Sequence, residues 1–153
     1  MKRQPKSTEN IPDVLQRIGR AARLFTRWAD TRLNRFGLSV AQLPVLFALR
    51  DGTSKTQKDL ARLAQIEQPT MAQLLARMER GGLVQRWLNP KDNRSSLISL
   101  TPQTTKQAIK SRTVLMEASK VALMGFSAAE VELLNEMLLR VMDNLERAVT
   151  SDP

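Results

Sequence analysis

Residues 56–101 read TQKDLARLAQIEQPTMAQLLARMERGGLVQRWLNPKDNRSSLISLT, and the order of signals in this stretch decides the fold. It opens on Thr56-Gln57-Lys58-Asp59, a capping signal in which a hydroxyl accepts from a backbone N–H of the first helical turn. Leu60, Ala61, Leu63 and Ala64 then form a short helix, and Gln65-Ile66-Glu67 reads as a turn. Pro69 suits the first turn of the next helix, because its φ is already helical and the N–H it lacks has no intrahelical partner there. Met71, Leu74, Leu75 and Met78 recur at three- and four-residue steps and predict a buried helix face, ended by Gly81-Gly82. Leu83–Leu88 is a strand candidate, followed by the turn-rich Asn89-Pro90-Lys91-Asp92-Asn93-Arg94 and a second strand, Ser96–Leu100. This predicts a β-hairpin with a basic tip.

The flanks read as helices. From Pro12 to Phe36, Val14, Ile18, Ala22, Phe25, Trp28, Ala29, Leu33 and Phe36 mark one face, with arginines interspersed, and Gly37 supplies the stop. Ser39-Val40-Ala41-Gln42 is a capping box for a helix in which Leu43, Leu46, Phe47 and Leu49 are expected to pack inward, before Asp51-Gly52 ends it. Pro44 removes one early hydrogen bond, so the first turn is expected to be displaced rather than broken. Thr101-Pro102 starts a helix running to about Met124, and Gly125 ends it. Ser127-Ala128-Ala129-Glu130 caps a last helix whose Val131, Leu134, Leu138, Val141, Leu145 and Ala148 form a regular seam. Such a seam packs either within the monomer or against a second chain. Three long helices carry more apolar stripe than one small domain uses, which favours a homodimer.

The expected division is a disordered basic tail over 1–10, an N-terminal helix contributing to dimerisation over 11–36, a lobe of short helices and the hairpin over 37–101 and a helical dimerisation region over 102–150. The fold class is mainly α with a small β-hairpin.

Composition removes many functions. Without Cys there is no disulfide, thiolate cluster or cysteine nucleophile, and without His the commonest general base and zinc ligand are missing. Neither a Gly-rich phosphate loop nor a nucleophile elbow is present. The chain therefore reads as a non-enzyme, without metal or cofactor. No apolar run approaches the ~18 residues of a membrane span, and the start lacks a signal-peptide core, so a cytoplasmic protein is expected. The net charge of +9 favours a polyanionic partner. It is unevenly placed: +6 over 1–36, +4 over 50–94 and −1 over 101–153.

A capped short helix, a tight turn, a second helix, a Gly-Gly stop and a basic hairpin, in that order, give the plan of a winged helix-turn-helix. Gln68, Thr70 and Gln73 lie near the N-terminal end of the second helix, the end such a helix presents to base edges, though each is also readable as an exposed polar residue. Thr53, Lys55, Thr56 and Arg77 are candidate phosphate contacts. Lys91 stands at the hairpin tip, and Arg86 at its base is placed either to meet phosphate or to pair with Asp92.

The chain resembles the MarR family of regulators along essentially its whole length. The matching residues are Lys58-Asp59-Leu60-Ala61, Gln68-Pro69-Thr70, Leu74, Met78-Glu79-Arg80-Gly81-Gly82-Leu83-Val84, Arg86, Asp92-Asn93-Arg94-Ser95 and Leu100-Thr101. Ile66-Glu67-Gln68-Pro69-Thr70 resembles the SlyA branch in particular. Thr104 replaces a glycine frequent in the family, and Gln73 stands where that branch carries arginine. Gln pairs best with adenine and Arg with guanine, so the branch's operator preference does not carry over.

The resemblance implies a ligand-responsive repressor that binds a palindromic double-stranded operator as a homodimer, with Arg94 reaching the minor groove and Asp92 orienting it. It also implies a pocket for a small aromatic anion, for which Phe25, Arg27, Trp28, Phe47 and Met116 are candidates; each is also readable as ordinary core or surface. The competing readings are a non-specific architectural DNA-binding protein and a membrane-surface or protein-interaction module.

Overall fold

The computed structural model describes residues 11–151, so the expected tail over 1–10 lies outside the described residues. The elements run α1 (Ile11–Leu33), α2 (Leu43–Ala48), β1 (Lys55–Thr56), α3 (Gln57–Ala64), α4 (Gln68–Arg80), β2 (Val84–Asn89), β3 (Asp92–Leu100), α5 (Pro102–Ala122) and α6 (Ala128–Ser151). The strands form one antiparallel sheet in the order β1-β3-β2. This is a mainly helical winged helix with a three-stranded wing.

Local chemistry places most of the boundaries. Thr56 caps α3 by accepting from the Asp59 N–H at 3.2 Å while its own hydroxyl donates to the Asp59 carboxylate at 2.8 Å. Thr56→Ala is expected to lower folding stability by about 1 kcal/mol, read as a drop in the denaturant midpoint at unchanged slope. An unchanged midpoint would mean that water caps the helix equally well.

Gln65 ends α3 in the left-handed region, at φ 52°, and the Ile66 N–H reaches back to the Ala61 carbonyl at 2.9 Å. At the end of α4 the left-handed residue is Gly82, at φ 70°, while Gly81 remains at φ −80°. The Leu83 N–H then closes on the Met78 carbonyl at 2.8 Å, the six-to-one bond that lets a chain leave a helix sharply.

Pro44 has the anticipated effect. Val40–Gln42 form a 3-10 turn, with Gln42 Oε1 accepting from the Ser39 N–H at 2.9 Å, and α2 follows with Pro44 in its first turn. Val45 is fully buried with Leu43, Leu46 and Leu49, whereas Phe47, expected inside, is 45% exposed.

One core joins Ala29 and Leu33 of α1, Leu43, Val45 and Leu46 of α2, Leu60 of α3, Met71, Leu74, Leu75 and Met78 of α4, Ile98 of β3 and Val114 of α5. The end of α1 and the first part of α5 therefore belong to the same core as the helix-turn-helix. The chain divides instead inside α5, into units Met1–Ala118 and Ser119–Pro153.

Along α5 the buried residues are Thr104, Ser111, Val114 and Ala118, while Ile109, Met116 and Val121 are more than half exposed. Thr104 is fully buried and shares a 2.8 Å hydrogen bond with the Thr101 hydroxyl, so its added bulk finds space and its polar atom a partner. In the second unit, Ser127 and Glu130 form the expected capping box before α6. The hydrogen bonds from the Ser127 backbone and hydroxyl hold the Glu130 carboxyl below the ordinary range.

Candidate nucleic-acid interface

Burying Met71, Leu74, Leu75 and Met78 leaves the opposite face of α4 in solvent. Thr70, Gln73 and Arg77, at i, i+3 and i+7, share that exposed face. Gln68 is exposed too but lines a groove of about 1140 Å³ between the helix-turn-helix and the wing. The sequence grouped these three polar residues, Gln68, Thr70 and Gln73, as one reading set. The structure separates Gln68, at the groove, from Thr70 and Gln73.

The wing wall of the groove carries Arg86, Asn89, Asp92, Arg94, Ser95 and Ser96. Of the protein partners open to it, Arg86 meets Glu79 and not Asp92. Its Nε lies 3.4 Å from the Glu79 carboxylate, which ties the base of β2 to the last turn of α4. Asp92 Oδ1 accepts from the Arg94 N–H at 3.0 Å, a bond to the Arg94 backbone. Regular pairing ends at Leu88, Asn89 pairs with Asp92, and residues 93–95 stand outside the ladder. The Arg94 side chain is exposed and makes no ion pair among the described residues. Lys91, also exposed, occupies the turn, where its N–H donates to Asn89 at 3.0 Å.

Thr53 and Lys55 are less available than expected. Asp51 accepts from the Thr53 hydroxyl at 2.7 Å and from its N–H at 3.1 Å, and these bonds, reinforced by Lys55, hold the Asp51 carboxyl below its usual range. The Lys55 ammonium donates to the Thr53 hydroxyl at 2.6 Å. Both residues brace the loop into β1, a strand the sequence did not reveal. Its Lys55 and Thr56 pair with Ile98 and Leu97 of β3 and fasten the wing to the start of α3.

Two basic residues on the helical wall escaped the sequence reading. Lys58 and Arg62, four apart on α3, both line the groove. Arg62 is held 3.4 Å from Asp59, whereas Lys58 has no ion pair among the described residues. The spacing of two cations one helical turn apart was the available signal. Lys58, Arg77, Lys91 and Arg94 thus present positive charge without an ion-pair partner among the described residues, across α3, α4 and the wing.

A model of the MarR family matches residues 36–95. The uncharacterized HTH-type transcriptional regulator YwoH of Bacillus subtilis is 34% identical over 94 residues, which cover 61% of this chain and 68% of YwoH. The chain belongs to the MarR family. As a member it is a DNA-binding transcriptional regulator and not an enzyme. The HTH-type transcriptional repressor IacR of Pseudomonas putida is 25% identical over 80% of this chain and 73% of its own. The crystal structure of a mutant MarR from Escherichia coli, complexed with operator DNA, superposes with a TM-score of 0.78 at 22% identity, covering 90% of this chain and 99% of that one. That likeness shows the fold and selects no branch within the family.

The five candidates for a MarR ligand pocket do not come together. Phe47 alone of them lines a pocket of about 560 Å³ between α2 and α5, with Leu46, Arg50, Ile109, Ser111 and Arg112 among its neighbours. Trp28 is half-buried with the Arg32 guanidinium 3.6 Å from its ring centre, so one aromatic face is already covered. Phe25, Arg27 and Met116 are exposed and do not line the pocket.

Among the described residues no cluster of acidic side chains could hold a metal, and no helix is long and apolar enough to cross a membrane.

Proposed function

We propose that this chain is a cytoplasmic repressor that binds a palindromic operator as a homodimer, reading bases with α4 and gripping the flanking minor groove with the wing. The observations that carry the reading are the exposed polar face of α4 and, lining the groove, Lys58 on the α3 wall and Arg94 on the wing, neither with an ion pair among the described residues. α4 supplies side chains to the major groove, whose donor and acceptor pattern distinguishes every base pair. The wing supplies a cation to the minor groove, whose potential is most negative where it is narrow. Gln73 and Thr70 are the base-reading residues, Gln68 approaches from the groove side, and Arg77, Lys91 and Lys58 neutralise phosphate. Operator binding by Escherichia coli MarR and repression by IacR support this assignment.

Control by a small anion is proposed for the pocket between α2 and α5. Its apolar wall of Leu46, Phe47 and Ile109 beside Arg50 and Arg112 suits an aromatic carboxylate. Occupancy would bias how α2 and α5 are spaced, and so the placement of α4.

Capture of genomic fragments by the protein tests the central reading. One enriched palindrome is expected. Recovery of random fragments would favour an architectural role, and recovery of none would overturn DNA binding altogether. Affinity for the enriched duplex is further expected to fall with salt, at a log–log slope of about −0.9 for each phosphate neutralised. Salt-independent binding would contradict the basic footprint.

A further inference from the structure

The wing also carries a side chain that charge does not explain. Leu88 is the last regularly paired residue of β2, opposite Ser96, and is 71% exposed. Side chains two apart on a strand share a face, and so do residues directly paired across antiparallel strands. Leu88 therefore points to the same side as Arg86 and Ser96, both of which line the groove between wing and helix-turn-helix. A single exposed leucine is ordinary on a protein surface. This one is on the strand face it shares with Arg86 and Ser96, next to the residues that line the groove rather than among them, at the point where pairing becomes irregular and residues 93–95 leave the ladder.

We propose that Leu88 is an apolar contact between the wing and the sugar walls of the DNA minor groove, and that it makes the wing sensitive to groove width. The proposal rests on the DNA-binding reading of the same groove. The walls of the minor groove are deoxyribose C–H surface, and they approach each other in A-tracts. A leucine on the same wing as the inserted arginine touches both sugar walls of a narrow groove and loses contact with one of them in a wide groove. Its contribution comes from area removed from water, so salt does not screen it. Arg94 gives the wing charge, and Leu88 gives it fit.

The test uses the duplex that the wild-type protein enriches from a random-sequence library, with either an A-tract or a G·C-rich segment where the wing lands. Leu88→Ser is expected to weaken binding to the A-tract duplex roughly tenfold and to reduce the preference over the G·C-rich one by a similar factor, leaving the part that Arg94 supplies, at an unchanged salt slope. Leu88→Ile, apolar and of equal size, is expected to keep the wild-type values. Thermal unfolding of both variants should match wild type, since the side chain is largely in solvent. Unchanged affinity of Leu88→Ser, or a shallower salt slope, would overturn the proposal. So would loss of the dimer in sedimentation, which would assign Leu88 to a protein contact. If the wild-type protein enriches no duplex at all, the DNA-binding reading fails first, before any variant is compared.

Discussion

Leu138→Glu is expected to turn the proposed dimer into monomers and to weaken operator binding by about 10²- to 10⁴-fold. On α6, Val131, Leu134, Leu138, Val141 and Leu145 fall on one side at alternating three- and four-residue steps. Leu138 and Leu145 remain 38% and 55% exposed, and Leu133, Met137 and Met142 beside them are about half exposed. A helix with so much apolar surface in water gains by packing against a second copy. Helix α1 adds Val14, Leu15, Leu24 and Phe25, each at least 39% exposed. A carboxylate at the centre of the seam would have to be buried without a partner, which costs more than the lost leucine contact alone. Each monomer would keep its own winged helix but lose the tethering that makes the second half-site an intramolecular event. Sedimentation at micromolar concentration reads the first effect, and titration of a two-half-site duplex reads the second. A variant that stays dimeric would place the interface on another face.

The sequence made visible what is decided within a few residues. The caps at Thr56 and Ser127, the displaced turn before Pro44 and the buried set Met71, Leu74, Leu75 and Met78 all depend on local spacing, and each stands as read. Val45 is inside and Phe47 outside because the buried arc of α2 is centred on Leu46 and Leu49, which at 100° per residue takes in Val45 and leaves Phe47 beyond its edge. The strand β1 is two residues long and exists only through its pairing with β3, more than forty residues away, so no local pattern announces it. The same dependence on packing hid the Arg86–Glu79 pair, which joins two separate elements. The pocket between α2 and α5, proposed above to take a ligand, was the least legible feature. Its arginines, Arg50 and Arg112, come from distant parts of the chain, and three of the five residues that drew attention lie along α1.

Arg94→Ala and Gln73→Ala are expected to damage DNA binding in opposite ways. Arg94 leaves the wing outside the regular ladder, its backbone fixed by Asp92 and its guanidinium free of any ion pair among the described residues. No internal salt bridge must break before it enters a groove. Its removal is expected to cost about 1–3 kcal/mol per wing, a loss carried twice in a dimer, on nearly every duplex. The salt slope should become shallower by roughly 1 per wing, because one cation fewer releases counterions. Folding stability should be little changed, since the side chain is exposed. Gln73 stands one turn before Arg77 on the solvent face of α4, where a bidentate amide contact to adenine is worth about 1–3 kcal/mol of discrimination. Gln73→Ala should therefore relax preference at one symmetric pair of operator positions and leave binding to random duplex and the salt slope as they were. Titrations of both variants on operator, on single-base operator variants and on random duplex, across a salt series, separate the two. If Arg94→Ala altered sequence preference without lowering overall affinity, the wing would be a reader and not a clamp. If Gln73→Ala lowered all affinities equally, α4 would be gripping phosphate, and base reading would have to pass to Gln68 and Thr70.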